Sequence, residues 1–225
     1  AVAGKEMDVE PLTLDINGRG TVATFLNLGT PRRAWQFTSL SNERDRPSLA
    51  IPKAQSVVDV LQTFGWRDAR QDALTRRDHE PNVLQPSTLA NGILGRRIAQ
   101  LSDDSAFTEL ALRPVDCREL VRLIYQRVLG RTPSEEELIT MDQYLCVTYA
   151  NRIVKNAPQL IRQEKVLDVS WNNHLSEEAN RIKVELEKRV LAGDPPTNRL
   201  RPEWRERLED VVYALVNSPE FIFVP

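Results

Sequence analysis

Cysteine and histidine are scarce in this chain, with two of each in 225 residues. Two cysteines, Cys117 and Cys146, are too few for a disulfide scaffold, and they lack metal-ligand spacing. Neither His79 nor His174 has a second histidine or a cysteine at ligand spacing. Asp78-His79-Glu80 would hold a metal only if folding brought in further ligands; a solvated loop, or a lattice with Arg76 and Arg77, is the favoured reading. The apolar runs fall far below the roughly 18 to 20 residues of a membrane span. An excess of either charge is missing too. Thirty basic against 32 acidic side chains leave a net charge of −2, which gives no electrostatic case for nucleic acid or an anionic membrane. The first ten residues, AVAGKEMDVE, have no charged region leading into an apolar stretch, so they do not read as a signal peptide. Without an initiator Met, the chain is expected to begin after processing or to be the C-terminal part of a longer protein. Phosphate loop, dinucleotide fingerprint, HExxH pair and nucleophile elbow are all missing from the sequence. So is CxxCH, so no cofactor is expected in this chain, and in particular no c-type haem attached to it.

What is present is ordinary globular composition, 41% apolar and 28% charged, in a chain long enough to bury a core without staples. Residues 1–51 are loop-rich. Leu12 to Ile16, Asn17-Gly18 and Thr21 to Thr24 offer a small β-hairpin, because Asn-Gly suits a tight turn. The rest reads as helices. Pro52 starts one, with Val57, Val58, Leu61 and Phe64 at helical spacing and Gly65 as its stop. Pro86 opens a second, with Leu89, Ile93, Leu94, Ile98 and Leu101 along one side. Gly92 and Gly95 within it suggest close helix packing. Ser105 to Leu112 makes a turn or two. The strongest pattern is a helical hairpin over 115–149. Leu120, Val121, Ile124, Val128 and Leu129 line its first arm, Gly130 ends that arm, and Leu138, Met141, Leu145 and Tyr149 line the second. Thr132 is the expected cap of the second arm, with Pro133 first inside and Glu135 at the capping-box position. Cys117 and Cys146 lie about one helix length from the turn and could face each other. Two buried thiols are the favoured arrangement and a disulfide is the alternative. Residues 155–175 are an irregular connection. Ser176 caps a charged helix striped by Ile182, Leu186 and Val190. A last helix starts near Pro202 with Trp204, Leu208, Val211, Val212 and Leu215, and the apolar terminus Phe221 to Val224 should dock on the body. The expected fold is all-α, in one mainly helical domain: a loop-rich segment 1–51, a helical core 52–154 and a C-terminal helical pair in 155–225.

Candidate binding residues come from two polar stretches. In WQFTSLSNERDRPSLAIP, Trp35 to Pro52, the side chains of Asn42, Glu43, Arg44, Asp45 and Arg46 crowd before a helix start. Arg44 and Arg46 suit bidentate pairing with carboxylates that pins the loop. An anion site and a catalytic pair of Glu43 and Asp45 are the sharper alternatives, and spacing in sequence cannot place two carboxyls across a cleft. In WNNH, Trp171 to His174, an aromatic plate beside Asn173 has the composition of a sugar-contacting surface, against the plainer reading of a connector tucked onto the body. The doublets Arg32-Arg33, Arg76-Arg77 and Arg96-Arg97 read as solvated or paired.

Four segments carry a family resemblance: FLNLGTPRRAWQFTSLSNERDRPSLAIPKAQSVVDVLQTFGW, EPNVLQPSTLANGILGRRIAQLSDD, LIYQRVLGRTPSEEEL and the ending LVNSPEFIFVP. Together the chain resembles the planctomycete-specific C-terminal domain of unknown function found in large secreted, cytochrome-c-associated planctomycete proteins. LQPSTLANG departs from the family's pattern, with Gln85 before Pro86. The resemblance transfers no catalytic residue. It implies an extracytoplasmic location, in the periplasm or at the cell surface. It also implies company: haem, if any, in upstream domains of the parent protein, and those domains or an envelope protein as partner. The function expected is a non-catalytic helical module of a cell-envelope protein. The alternative is part of a glycan-processing enzyme or an acidic-glycan-binding module using Arg44, Arg46, Trp171 and Asn173.

Overall fold

In the computed structural model, residues 2–5, 52–65, 82–160 and 175–222 are described. The described residues are mainly helical, with nine α-helices and two isolated antiparallel bridges in place of any sheet. The sequence-expected hairpin near the N-terminus lies outside them. The chain divides into two compact units, Ala1–Glu6 with Val83–Gln163 and Asp194–Pro225, and Met7–Asn82 with Glu164–Gly193.

The second of these contains α1 (Pro52–Thr63) and α7 (Glu177–Ala192), which pack on each other. Val58 of α1 and Ala179 and Val190 of α7 are buried. The Ser176 hydroxyl accepts the Ala179 amide, and Glu177 and Glu178 occupy the first turn. That satisfies one orphan donor and places negative charge at the positive end of the helix dipole.

The first unit is organised around α5 (Cys117–Leu129) and α8 (Pro202–Val216). Leu120, Val121, Ile124, Tyr125 and Val128 recur at helical spacing on α5, and Trp204, Leu208, Val211, Val212, Leu215 and Val216 on α8. All are buried in one cluster, as an apolar stripe on each helix requires. Asp116 caps α5 through the Glu119 amide and Gly130 ends it. Pro202 starts α8 at a position where no intrahelical donor is needed. The short α9 (Pro219–Ile222) follows, and Phe221 is partly buried against the same core.

Two boundaries differ from expectation. The helix opened near Pro86 is two helices, α2 (Leu84–Asn91) and α3 (Ile93–Ala99), separated at Gly92, whose backbone is extended. Gly95 does mark a close approach, but to the backbone of the preceding helix. A Cβ there would lie 1.7 Å from the Leu89 carbonyl oxygen, so no side chain fits. The cap of α6 (Glu135–Met141) is Ser134, not Thr132. The capping box is closed by Glu137, whose carboxylate accepts the Ser134 amide at 2.6 Å.

The second arm of the hairpin is also not one continuous α-helix. After α6 the chain makes a π-helical turn, Asp142–Cys146, and then a 3₁₀ turn, Tyr149–Asn151. Side chains of α8 and α5 hold this irregular end. The Trp204 indole N–H donates to the Leu145 carbonyl at 3.0 Å, the Arg207 guanidinium to the Tyr144 carbonyl at 3.2 Å, and Arg118 Nε to Asp142 at 2.9 Å. Carbonyls that would be orphans at a helix end thus find partners. Cys117 and Cys146 are joined as a disulfide, with their Cα atoms 5.6 Å apart; the arrangement of two buried thiols is not the one adopted. The α4 turns (Ala106–Ala111), capped by Ser105, complete the unit.

Candidate functional site

The residues singled out in the sequence, Asn42, Glu43, Arg44, Asp45, Arg46, Trp171 and Asn173, lie outside the described residues, as do His79 and His174. Within the first unit the structure assembles a different polar constellation, along the extended segment 194–201. This segment runs between the loop after α3 and the chain after the 3₁₀ turn. Thr197 N–H donates to the Leu101 carbonyl at 2.8 Å, Val154 N–H to the Arg199 carbonyl at 2.9 Å, and Arg201 N–H to the Arg152 carbonyl at 2.8 Å.

Asp103 stands at one end. Its side chain is 5% exposed. It accepts the Thr197 hydroxyl at 2.5 Å, the Leu160 amide at 2.5 Å and Arg199 Nε at 3.0 Å. Burial pushes this carboxyl up, but those three hydrogen bonds and the positive charge of Arg199 outweigh it and hold the group below the ordinary carboxylate range. Arg199 reaches on to Glu109 at 2.6 Å. Beside it, the Ser102 hydroxyl donates to Asp104, and the Ser102 carbonyl accepts the Thr108 hydroxyl at 2.7 Å.

Asp194 stands at the other end, near the buried ammonium of Lys5 at 3.6 Å and the guanidinium of Arg97 at 3.5 Å. Lys5 Nζ also donates to the Gln100 carbonyl at 3.0 Å. Burial pushes the Lys5 ammonium below its usual pKa, against the pull of Asp104 and Asp194. One turn into α8, Arg205 Nε lies 3.5 Å from Glu209. Burial raises the Glu209 carboxyl, although it accepts the Leu101 amide at 2.9 Å.

A third group is Arg152, only 6% exposed. Its guanidinium donates to the carbonyls of Ala111 at 2.7 Å, Arg113 at 2.8 Å and Tyr149 at 3.2 Å. It lies over the Tyr149 ring at 3.7 Å. Burial lowers its pKa. At the surface, Arg131 forks between Glu137 and Glu220, with four contacts of 2.7 to 2.8 Å. Hydrogen bonding to Arg131 pulls the Glu137 carboxyl down to about 2.

Chemically, these groups are occupied. The oxygens of Asp103 receive three donors from two segments of chain, and the Lys5 ammonium is held by a carbonyl and a carboxylate. Such an arrangement fixes segments in place, as buried hydrogen-bonded networks do, although among the described residues Arg97 Nε and Arg205 Nε are buried without a hydrogen bond. Among the described residues no group of three or more His, Cys, Asp or Glu side chains is placed to hold a metal ion, and no helix is long and apolar enough to cross a membrane. Sequence reasoning missed Asp103, Asp194, Thr197 and Arg199. Their partners lie some ninety residues away, and the only local hint was the Arg96-Arg97 doublet, read as solvated or paired; Arg97 pairs with Asp194.

A family model described as a protein of unknown function, DUF1553 or PSD1, matches residues 10–145, more than half of the chain. The chain belongs to that family. No curated protein matches it, and no solved structure does. The DUF1553 match runs from before α1 to Leu145 in the π-helical turn, and so takes in the Asp103 loop and all of α5.

Proposed function

We propose that this DUF1553 chain is a non-catalytic helical module of a larger cell-envelope protein, and that it docks on the preceding domains of its own polypeptide or on an envelope partner. The observation that carries this reading is the inward use of charge. Lys5, Asp103, Asp194 and Arg152 are buried and bonded to distant chain segments, which suits a part whose task is to keep a shape. The Cys117–Cys146 bond supports a place outside the cytoplasm, because disulfides persist in oxidising compartments. The resemblance of the four segments supports a planctomycete setting in which a cytochrome-c-like module comes earlier in the parent protein, with any haem held there.

The test is co-purification of this chain with the segment that precedes it in its natural polypeptide. Binding at micromolar concentration is expected. No association at high micromolar concentration defeats the docking reading.

A further inference from the structure

Residues 2–5 lie on the first unit much as a bound peptide lies in a groove. Val2 and Ala3 pack their small side chains on the core. The Val2 carbonyl accepts Arg127 Nε at 2.5 Å, and the Ala3 carbonyl accepts the Ala106 amide at 2.9 Å. Arg127 is itself placed over the Phe107 ring at 5.9 Å. Gly4 has φ +67°, a conformation that side chains disfavour. A Cβ on it would lie 2.6 Å from the Ala106 Cβ and 3.2 Å from Arg127. Lys5 then enters a closed pocket, 4% exposed, between the Gln100 carbonyl and Asp194.

We infer that this groove, formed by Gln100, Ala106, Phe107, Arg127 and Asp194, is a peptide-binding site for a short stretch reading small–small–glycine–lysine, held in this chain by its own residues 2–5. Two carbonyl contacts give adhesion without regard to side chain. Selectivity comes from the glycine position, where there is no room for a Cβ, and from the lysine pocket, where a carboxylate and a carbonyl meet a cation. The same division between main-chain and pocket contacts operates when other proteins recognise extended peptides. The inference deepens the docking reading and rests on it for its purpose: the strap fixes the point at which preceding polypeptide would meet this unit.

The experiment uses the full chain carrying Gly4→Val, which should dislodge the strap, and a fluorescein-labelled peptide AVAGKE followed by anisotropy. The variant should bind the peptide about ten-fold or more tightly than the unaltered chain, whose own strap competes. Replacing the peptide's lysine with methionine should weaken binding by about ten-fold or more, since it removes the ammonium that the Gln100 carbonyl and Asp194 hold. Equal binding by variant and unaltered chain, no binding up to millimolar peptide, or indifference to the lysine overturns the proposal. Hydrogen exchange on the unaltered chain guards against a variant that fails to fold. The Ala106 amide, bonded to the strap, should exchange by local opening, faster than the interior amides of α5; exchange as slow as theirs also overturns it. If the peptide binds but the preceding segment does not co-purify, the site stands and the docking reading falls.

Discussion

Removing the Cys117–Cys146 bond, by reductant or by the double change Cys117→Ala/Cys146→Ala, should weaken the first unit by an amount that its topology sets. The bonded residues are 29 apart in sequence. Constraining a loop of that length removes about 12 cal/mol/K from the unfolded chain, or about 3.6 kcal/mol near room temperature. The loop contains the whole α5–α6 hairpin, and the bond ties its open end. The native contacts there survive the loss: Arg118 still pairs with Asp142, the Tyr149 hydroxyl still donates to the Val115 carbonyl at 2.6 Å, and the Trp204 indole still holds Leu145. The reduced protein should therefore keep its helical circular dichroism and lose stability. With a urea slope of about 2 kcal/mol/M, the midpoint should fall by about 1.8 M. Because the chain has two units, one global transition is not assured; hydrogen exchange of peptides from α5 and α8 reports on the first unit directly. Alkylation of the oxidised, denatured protein should label neither cysteine. Two labelled thiols, or reduced and oxidised midpoints that coincide, would refute the reasoning.

Other perturbations separate local rules from the tertiary setting. Helix propensity alone says that Gly95→Ala stabilises by about 1 kcal/mol. The contact with the Leu89 carbonyl says that it costs about 2 kcal/mol or more, and the sign of the change in a urea melt decides. Arg152→Met strands the carbonyls of Ala111 and Arg113 and should cost about 3 kcal/mol. Arg152→Lys should recover less than half of that, because an ammonium cannot fork between them; the same melts test both. Glu137 is held at about 2 against an ordinary 4.5. A depressed folded pKa gives stability that is full above the ordinary value and is lost as pH falls toward the folded one. With the side chain 31% exposed, the contribution is on the order of 1 kcal/mol. Glu137→Gln keeps an acceptor for the Ser134 cap but should flatten the acid limb of stability, and parallel pH slopes for the two proteins would count against the Arg131 clamp.

The parts of this fold legible in the sequence are those set by local spacing. The stripes of α5 and α8, the proline starts at Pro52 and Pro202 and the Ser176 cap follow from residues within a few turns of one another. The cap of α6 shows where that stops. TPSEEE contains two capping frames, Thr132 with Glu135 and Ser134 with Glu137. The second is occupied because Arg131 holds Glu137 while also gripping Glu220, a residue no local window can see. The break at Gly92 failed for a related reason: a glycine pair in an apolar run reads equally as close packing or as an end. The Asp103 and Asp194 clusters were not legible, because charge in sequence does not say which way a side chain turns. The stretches that did stand out, around Arg44 and Trp171, lie outside the described residues.

That distinction changes how a search for function in this protein should be run. Alanine substitution at Asp103, Arg152 or Asp194 removes a fastener that joins segments far apart in sequence. Loss of partner binding after such a change would follow from a loosened shape, and so would not locate an interface. Exposed apolar side chains behave differently. Ile139 and Val147 are 54% and 72% exposed, so truncating them removes little buried surface and should shift the melting transition by less than about 0.5 kcal/mol. An interface residue is recognised by the opposite pattern from a fastener: binding falls while the melt stays put. If a set of such changes at the surface leaves binding to the preceding segment untouched while the buried charges abolish it only in step with stability, then association follows the integrity of the fold rather than any surface contact tested. The strap at residues 2–5, whose Val2 and Ala3 are only partly buried against the core, then becomes the first place to look for the connection.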